Sequence, residues 1–232
     1  EEAFRNFENL THIKKIDLYN LLLNGDAMEG LNNILLKNKD IEYFDLSNNK
    51  AIEFRIEALK EGLSANLHLV TLNLSFCNIG DIGAACVAES LFNNLSITNL
   101  YLSNNNISLE GVKILSEKVI RKRCLKILNL EHNKIDHLGI YQMCQYLGDA
   151  FGLEYLNLNC NTIGDEGCEY LANAIAKNNS LMELQLDQNG ITNKGMKLLC
   201  EQIGKKKKFI KLSVNENQIT EIEDEFYKLF DT

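Results

Sequence analysis

The sequence contains no tryptophan, no low-complexity segment, no apolar run of membrane-spanning length and no signal-peptide pattern. A soluble chain is expected, with no membrane span. The seven cysteines, Cys77, Cys86, Cys124, Cys144, Cys160, Cys168 and Cys200, are odd in number and lack paired spacing, which makes a poor disulfide framework. A reducing compartment, the cytoplasm, is the expected location. Neither a phosphate-binding glycine loop nor a nucleotide motif nor a zinc-ligand spacing occurs, so no cofactor or metal is expected. The net charge of -8 argues against nucleic acid as a partner.

What is present is one unit written repeatedly. The pattern L-x-x-L-x-L-x-x-N-x-I begins at Ile13, Ile41, Leu69, Ile97, Leu125, Leu153, Leu181 and Phe209, always at 28-residue steps. In the unit from Leu153, Leu156 and Leu158 alternate with Tyr155, Asn157 and Asn159, the period of a half-buried strand. Cys168, Leu171, Ala172 and Ile175 then recur at helical spacing and predict a buried helix stripe. Gly83, Gly111, Gly139, Gly167 and Gly195 share one place at the predicted helix starts, a position expected to need close backbone approach or positive φ. Arg55 stands there in unit two, and Leu21 replaces the asparagine of unit one, so those units must turn differently.

This pattern resembles the leucine-rich repeat, and its length and Gly-Asp-Glu-Gly turn resemble the ribonuclease-inhibitor-like subclass. The resemblance implies an α/β solenoid, a horseshoe with a parallel sheet on its concave face and helices on its convex face. Strands about 4.8 Å apart and helices about 8 to 10 Å apart force the same curvature. Residues 1–12 are expected to be the second half of a preceding repeat or a cap, because Ala3, Phe4 and Phe7 fall on the helix stripe. Residues 13–208 would form seven repeats, and 209–232 an eighth with a C-terminal cap. Starting in mid-helix and on Glu1, the chain is expected to belong to a longer protein. Asn49, Asn105, Asn133, Asn161, Asn189 and Asn217 share the register just after the strand, where carboxamides can satisfy backbone groups as a ladder interrupted at Cys77.

Residues that the fold does not require lie outward on the strands. Of these Tyr19, Tyr43, Tyr101 and Tyr155 are the expected contacts, as aromatic side chains with polar tips. Asp17, Asp45, Glu131, Glu183 and Asp187 would favour a basic protein partner, and Asn157 adds an amide between them. Arg121 to Arg123 and Lys205 to Lys208 form a basic rim at helix ends, much of which the macrodipole explains, and no aromatics interleave with the lysines. His132 and Cys160 share a register in adjacent units and, with His137, are the nearest approach to a catalytic or metal constellation; neither an oxyanion pair nor a cleft accompanies them.

Relatives by resemblance differ in function. Cytosolic ribonuclease inhibitors wrap a basic enzyme, Ran GTPase-activating proteins act on a GTPase, and NOD-like receptors and tropomodulin-like actin regulators carry such repeats as one module. Cytoskeletal scaffolds do likewise. The expected function is a non-enzymatic interaction module or scaffold that binds a protein on its concave face. It would act as a monomeric solenoid or as a subunit of a larger complex. The alternative is a GTPase regulator acting in trans.

Overall fold

The computed structural model describes residues 12–21, 23, 25–50 and 55–220. The expectations placed on 1–11 and 221–232 lie outside the described residues. Eight three-residue strands, β1 (Lys15–Asp17), β2 (Tyr43–Asp45), β3 (Thr71–Asn73), β4 (Asn99–Tyr101), β5 (Ile127–Asn129), β6 (Tyr155–Asn157), β7 (Glu183–Gln185) and β8 (Lys211–Ser213), form one parallel sheet in chain order. Lys15 pairs with Tyr43 and Tyr43 with Thr71, so each strand lies beside the same residue of the next repeat. The return from each of the first seven strands is mainly helical. The helices are α1 (Gly25–Lys37), α2 (Lys60–Ala65), α3 (Gly80–Leu91), α4 (Leu109–Leu115), α5 (His137–Leu147), α6 (Gly164–Lys177) and α7 (Asn193–Ile203). Because every helix covers a strand, the result is a curved α/β solenoid with one continuous core.

The core follows from two periods meeting. Leu72, Leu100, Leu128, Leu156 and Leu184, the central strand residues, are fully buried against the helix stripes, including Cys168, Leu171 and Ile175. The last repeat is thinner, with Leu212 and Val214 only partly buried. In the second repeat, a 3-10 turn over Ile56–Leu59 precedes the six-residue helix α2. Here Arg55 occupies the glycine register, and the turn differs as its side chain requires.

The glycine column has a cause that the sequence left open. Gly111 and Gly195 take close approach and not positive φ, which falls instead on Gly80 and Gly164. A Cβ on Gly111 would lie 2.6 Å from Asp81 Oδ1, and one on Gly195 2.5 Å from Asp165 Oδ1. Those carboxylates cap the following repeat. Asp165 accepts from Thr192 N at 2.8 Å, Thr192 Oγ1 at 2.7 Å and Gly195 N at 3.0 Å, and Asp81 does the same for Ser108 and Gly111. An acid in the first turn of its own helix thus satisfies the first amides of the next one.

Two side-chain ladders bind the repeats where the chain bends. In the first, Asn161 Nδ2 donates to Leu130 O, Leu158 O and Asn159 O, while Asn161 Oδ1 accepts from Ile135 N. Asn49, Asn105, Asn133, Asn189 and Asn217 repeat the donor half of this arrangement. The thiol of Cys77 substitutes at 3.2 Å from Leu46 O. The second ladder, unseen in sequence, runs along the helix ends. Asn66 Nδ2 donates to Leu35 O and Asn38 O, and its Oδ1 accepts from His68 N and Leu69 N. Asn94 and Asn178 repeat this at the same register. Both side chains are almost fully buried, so their N-x-S triplets are ladder rungs and not glycan acceptors.

Lys122 and Lys206 occupy the second ladder's register. The Lys122 ammonium donates to Leu91 O and Asn94 O, and Lys206 Nζ donates to Ala176 O and Asn178 O at 2.6 and 2.9 Å. Partial burial pushes the Lys122 pKa down. The middle of the first basic cluster is therefore turned inward, not displayed.

Replacing Asn161 by Ala leaves several buried backbone groups without partners and should destabilise the solenoid by about 3 kcal/mol. Urea unfolding midpoints read this. At Lys122, Asn should hold or raise stability, while Met should lower it by about 1 to 2 kcal/mol. A Met variant as stable as wild type would show that the ammonium rung contributes nothing.

Candidate functional site on the concave strand face

Strand alternation and in-register pairing sort the outward residues into three columns. The first runs from Lys15 and Tyr43 through Tyr155 and Glu183 to Lys211, and the second holds Asp17, Asp45, Asn73, Tyr101, Asn129, Asn157, Gln185 and Ser213. Tyr19, Glu131 and Asp187 belong to the third, two residues further along the chain and just past the strand ends.

The second column is largely structural. Side-chain oxygens of Asp45, Asn73, Asn129 and Asn157 each accept from the backbone N–H two residues on, between 2.8 and 3.0 Å, closing an Asx-type turn as the strand ends. The amides on this face are thus in good part a series of turn caps. Two expected contact residues need correction on this ground. Asp45 is 7% exposed and Asn157 4%, because neighbouring repeats crowd over these short side chains. Asp45 accepts from Tyr43 OH at 2.8 Å, Ser47 N at 2.8 Å, Ser47 Oγ at 2.5 Å and Asn73 Nδ2 at 2.8 Å. Burial works to raise its pKa, but these four donors outweigh it, and the carboxyl is held below its usual value.

The remaining candidates are accessible to different degrees. Tyr19 is 59% exposed, whereas Tyr43, Tyr101, Tyr155, Glu131, Glu183 and Asp187 are half-buried. Burial first, and the hydrogen bond to Asp45 next, push the Tyr43 phenol up to about 12, so it stays a donor at any physiological pH. Lys15 Nζ lies 4.6 Å from the Tyr43 ring centre and covers one face of that ring. Tyr155 is raised by burial and then by Glu183 and Glu131, which places an aromatic body among carboxylates. Asp187 accepts from Ser213 Oγ at 2.7 Å and Asn215 N at 2.6 Å. The wall therefore has a tyrosine-rich N-terminal part and an acidic C-terminal part, with Tyr155 where they meet.

The basic rim is not the bare cluster expected from sequence. Arg121 stacks over Tyr146 at 5.7 Å and Arg123 over Phe151 at 5.5 Å, so aromatic partners absent from the local sequence come from the next repeat. Lys205, Lys207 and Lys208 are exposed around Lys206. His132 and Cys160 do lie side by side, but the third member of that group is Glu131. His137 faces Glu166 instead, at 3.4 Å.

Residues 65–88, 93–116, 121–144, 153–172 and 177–200 match the profile described as Leucine Rich repeat, together half of the chain. The chain belongs to the leucine-rich repeat family. No curated protein matches it. Among solved structures it is similar to the actin-binding site 2 of leiomodin-1, with 14% identity, a TM-score of 0.52, and 76% of this chain and 87% of that one covered. The C-terminal domain of a tropomodulin from Caenorhabditis elegans gives 16% identity and a TM-score of 0.55, covering 63% of this chain and 90% of that one. Internalin C2 from Listeria monocytogenes gives 20% and 0.53, covering 95% and 77%. At these identities the likeness concerns the leucine-rich repeat fold alone.

Hydrogen bonds hold the pKa values of Asp45 and Asp165 below the ordinary value, against burial that works to raise both. Their contribution to stability is then fully present above the unfolded value of about 4 and is lost as pH falls through the lowered folded values. Unfolding midpoints should drop steeply below about pH 4 in wild type, and less steeply in Asp45→Asn and Asp165→Asn.

Proposed function

We propose that this leucine-rich repeat chain is a protein-interaction module that holds one protein partner against its concave strand face, within a larger protein or assembly. The observation that carries the reading is the surplus of Tyr19, Tyr101, Tyr155, Glu131, Glu183 and Asp187. These residues neither fill the core nor close an Asx turn, yet they are grouped on one extended, curved face. Half-buried tyrosines present a large apolar area at small entropic cost, and surrounding carboxylates favour a basic surface opposite them. The partner is accordingly a protein with a basic, partly apolar face. Leiomodin-1, one of the similar folds, bears an actin-binding site in this type of module, which favours a cytoskeletal setting over the GTPase-regulator alternative.

Among the described residues no helix is long and apolar enough to cross a membrane. All seven cysteines are free thiols, and burial pushes Cys144, Cys168 and Cys200 each to about 12, which suits their use as small core fillers. This supports a reducing, cytoplasmic location.

The decisive experiment compares retained partners between wild type and a Tyr101→Ala/Tyr155→Ala/Glu183→Lys variant. Tyr43 is kept because Asp45 depends on its hydroxyl. A convex-face control, Lys113→Glu, is run beside it, after melts show that all three fold alike. A partner retained by wild type and control should bind the wall variant at least tenfold more weakly, since two aromatic anchors are removed and one charge reversed. Equal binding by all three would move the site off the concave face.

A further inference from the structure

At the end of every strand the chain turns through a residue with positive φ, and these residues form a row along one edge of the concave wall. In the first four repeats the row holds Asn20, Asn48, Phe76 and Asn104, and the asparagines tolerate this conformation well. At two successive steps it holds His132, with φ 52°, and Cys160, with φ 55°. Their backbones are pinned, because His132 N donates to Asn159 O at 2.9 Å and Cys160 N to Asp187 O at 2.8 Å. The two side chains therefore project in parallel from adjacent repeats. Glu131, immediately before His132, has its own N–H fixed by Asn129 Oδ1 at 2.9 Å.

The potential ligand atoms of Glu131, His132 and Cys160 all lie within 4.8 Å of one another. Donor atoms around a tetrahedral zinc ion, with Zn–N near 2.0 Å and Zn–S near 2.3 Å, stand about 3.3 to 3.8 Å apart. Closing that difference needs only rotation of side chains whose main chain is already held. We infer that Glu131, His132 and Cys160 form a three-ligand site for a borderline-soft divalent cation of the zinc type, at the rim of the concave wall.

The chemistry of the donor set selects the ion. One carboxylate oxygen, one imidazole nitrogen and one sulfur do not suit magnesium or calcium, which take oxygen throughout, whereas zinc accepts all three. The outer shell is also in place. Asn157 Nδ2 donates to Glu131 Oε2 at 3.2 Å and orients that carboxylate. The Cys160 thiol donates to Gln188 Oε1 at 3.1 Å, the proton that a metal ion displaces. On binding, the ion forms a bond to sulfur and the thiol proton leaves to solvent. Three protein ligands leave the fourth tetrahedral position for water or for a donor from a bound molecule.

Sequence spacing hides the site because no two ligands except Glu131 and His132 are close along the chain. The repeat step of 28 residues separates His132 from Cys160, and only stacking joins them.

Titration calorimetry with zinc chloride tests the inference on the whole chain, in a Cys86→Ser/Cys124→Ser/Cys144→Ser background that removes the other partly exposed thiols. One ion per chain should bind, and Cys160→Ser, His132→Ala and Glu131→Gln should each weaken it at least tenfold. Cobalt(II) in place of zinc should give a near-ultraviolet thiolate-to-metal band that Cys160→Ser lacks. Independently of any change at the site, zinc should protect Cys160 from alkylation by iodoacetamide, read by peptide mass spectrometry. Absence of saturable uptake, uptake that survives in Cys160→Ser, or alkylation of Cys160 unchanged by zinc would overturn the site. None of these results bears on partner binding at Tyr101 and Tyr155.

Discussion

Everything in this solenoid depends on satisfying backbone carbonyls where the chain bends inward, away from water. A strand of three residues has few ladder bonds of its own, and each repeat turns twice in 28 residues. Each buried carbonyl without a donor would cost about 1 to 3 kcal/mol. The carboxamides of Asn161 and its equivalents meet that demand after the strand, and those of Asn66, Asn94 and Asn178 meet it after the helix. No buried side-chain polar atom among the described residues lacks a partner. With both ends of each repeat tied to the next, the strand face is held at fixed spacing.

That fixed spacing converts sequence position into surface. Residues 28 apart become neighbours across adjacent strands, so one substitution changes one tile of the wall and leaves the scaffold intact. Tyr155 beside Glu183, and His132 beside Cys160, are such tiles. The same logic works at the helix ends, where Lys122 and Lys206 replace asparagine and complete the donor half of a rung while giving up its acceptor half. Ser96 N and Ile97 N bond to Asn94 Oδ1, a service that an ammonium cannot perform.

The concave wall reads differently once the turn caps are set apart. Asp45 and Asn157 belong with Asn73 and Asn129 as residues that end strands, although alternation alone puts them on the outward face beside Tyr43 and Tyr155. What remains outward and at least partly exposed is a smaller set, aromatic toward the N-terminal repeats and acidic toward the C-terminal ones.

The eight-fold recurrence of L-x-x-L-x-L-x-x-N-x-I made the strand, the helix stripe and the first asparagine ladder legible in sequence. Period two, period 3.6 and a strict 28-residue step each have a single physical reading, and every repeat restates it. The second ladder was hidden by its variants, since Lys122 and Lys206 share no chemical likeness with Asn66 or Asn94 until the equivalent pairs of carbonyls are seen. Gly111 and Gly195 gave no sign that they clear a path for Asp81 and Asp165, because that contact crosses from one repeat to the next. By itself the sequence determined which residues face the core, since burial follows local periodicity. Only the tertiary structure decided which outward residues are free, because that depends on hydrogen bonds between repeats, at distances that chain order does not express.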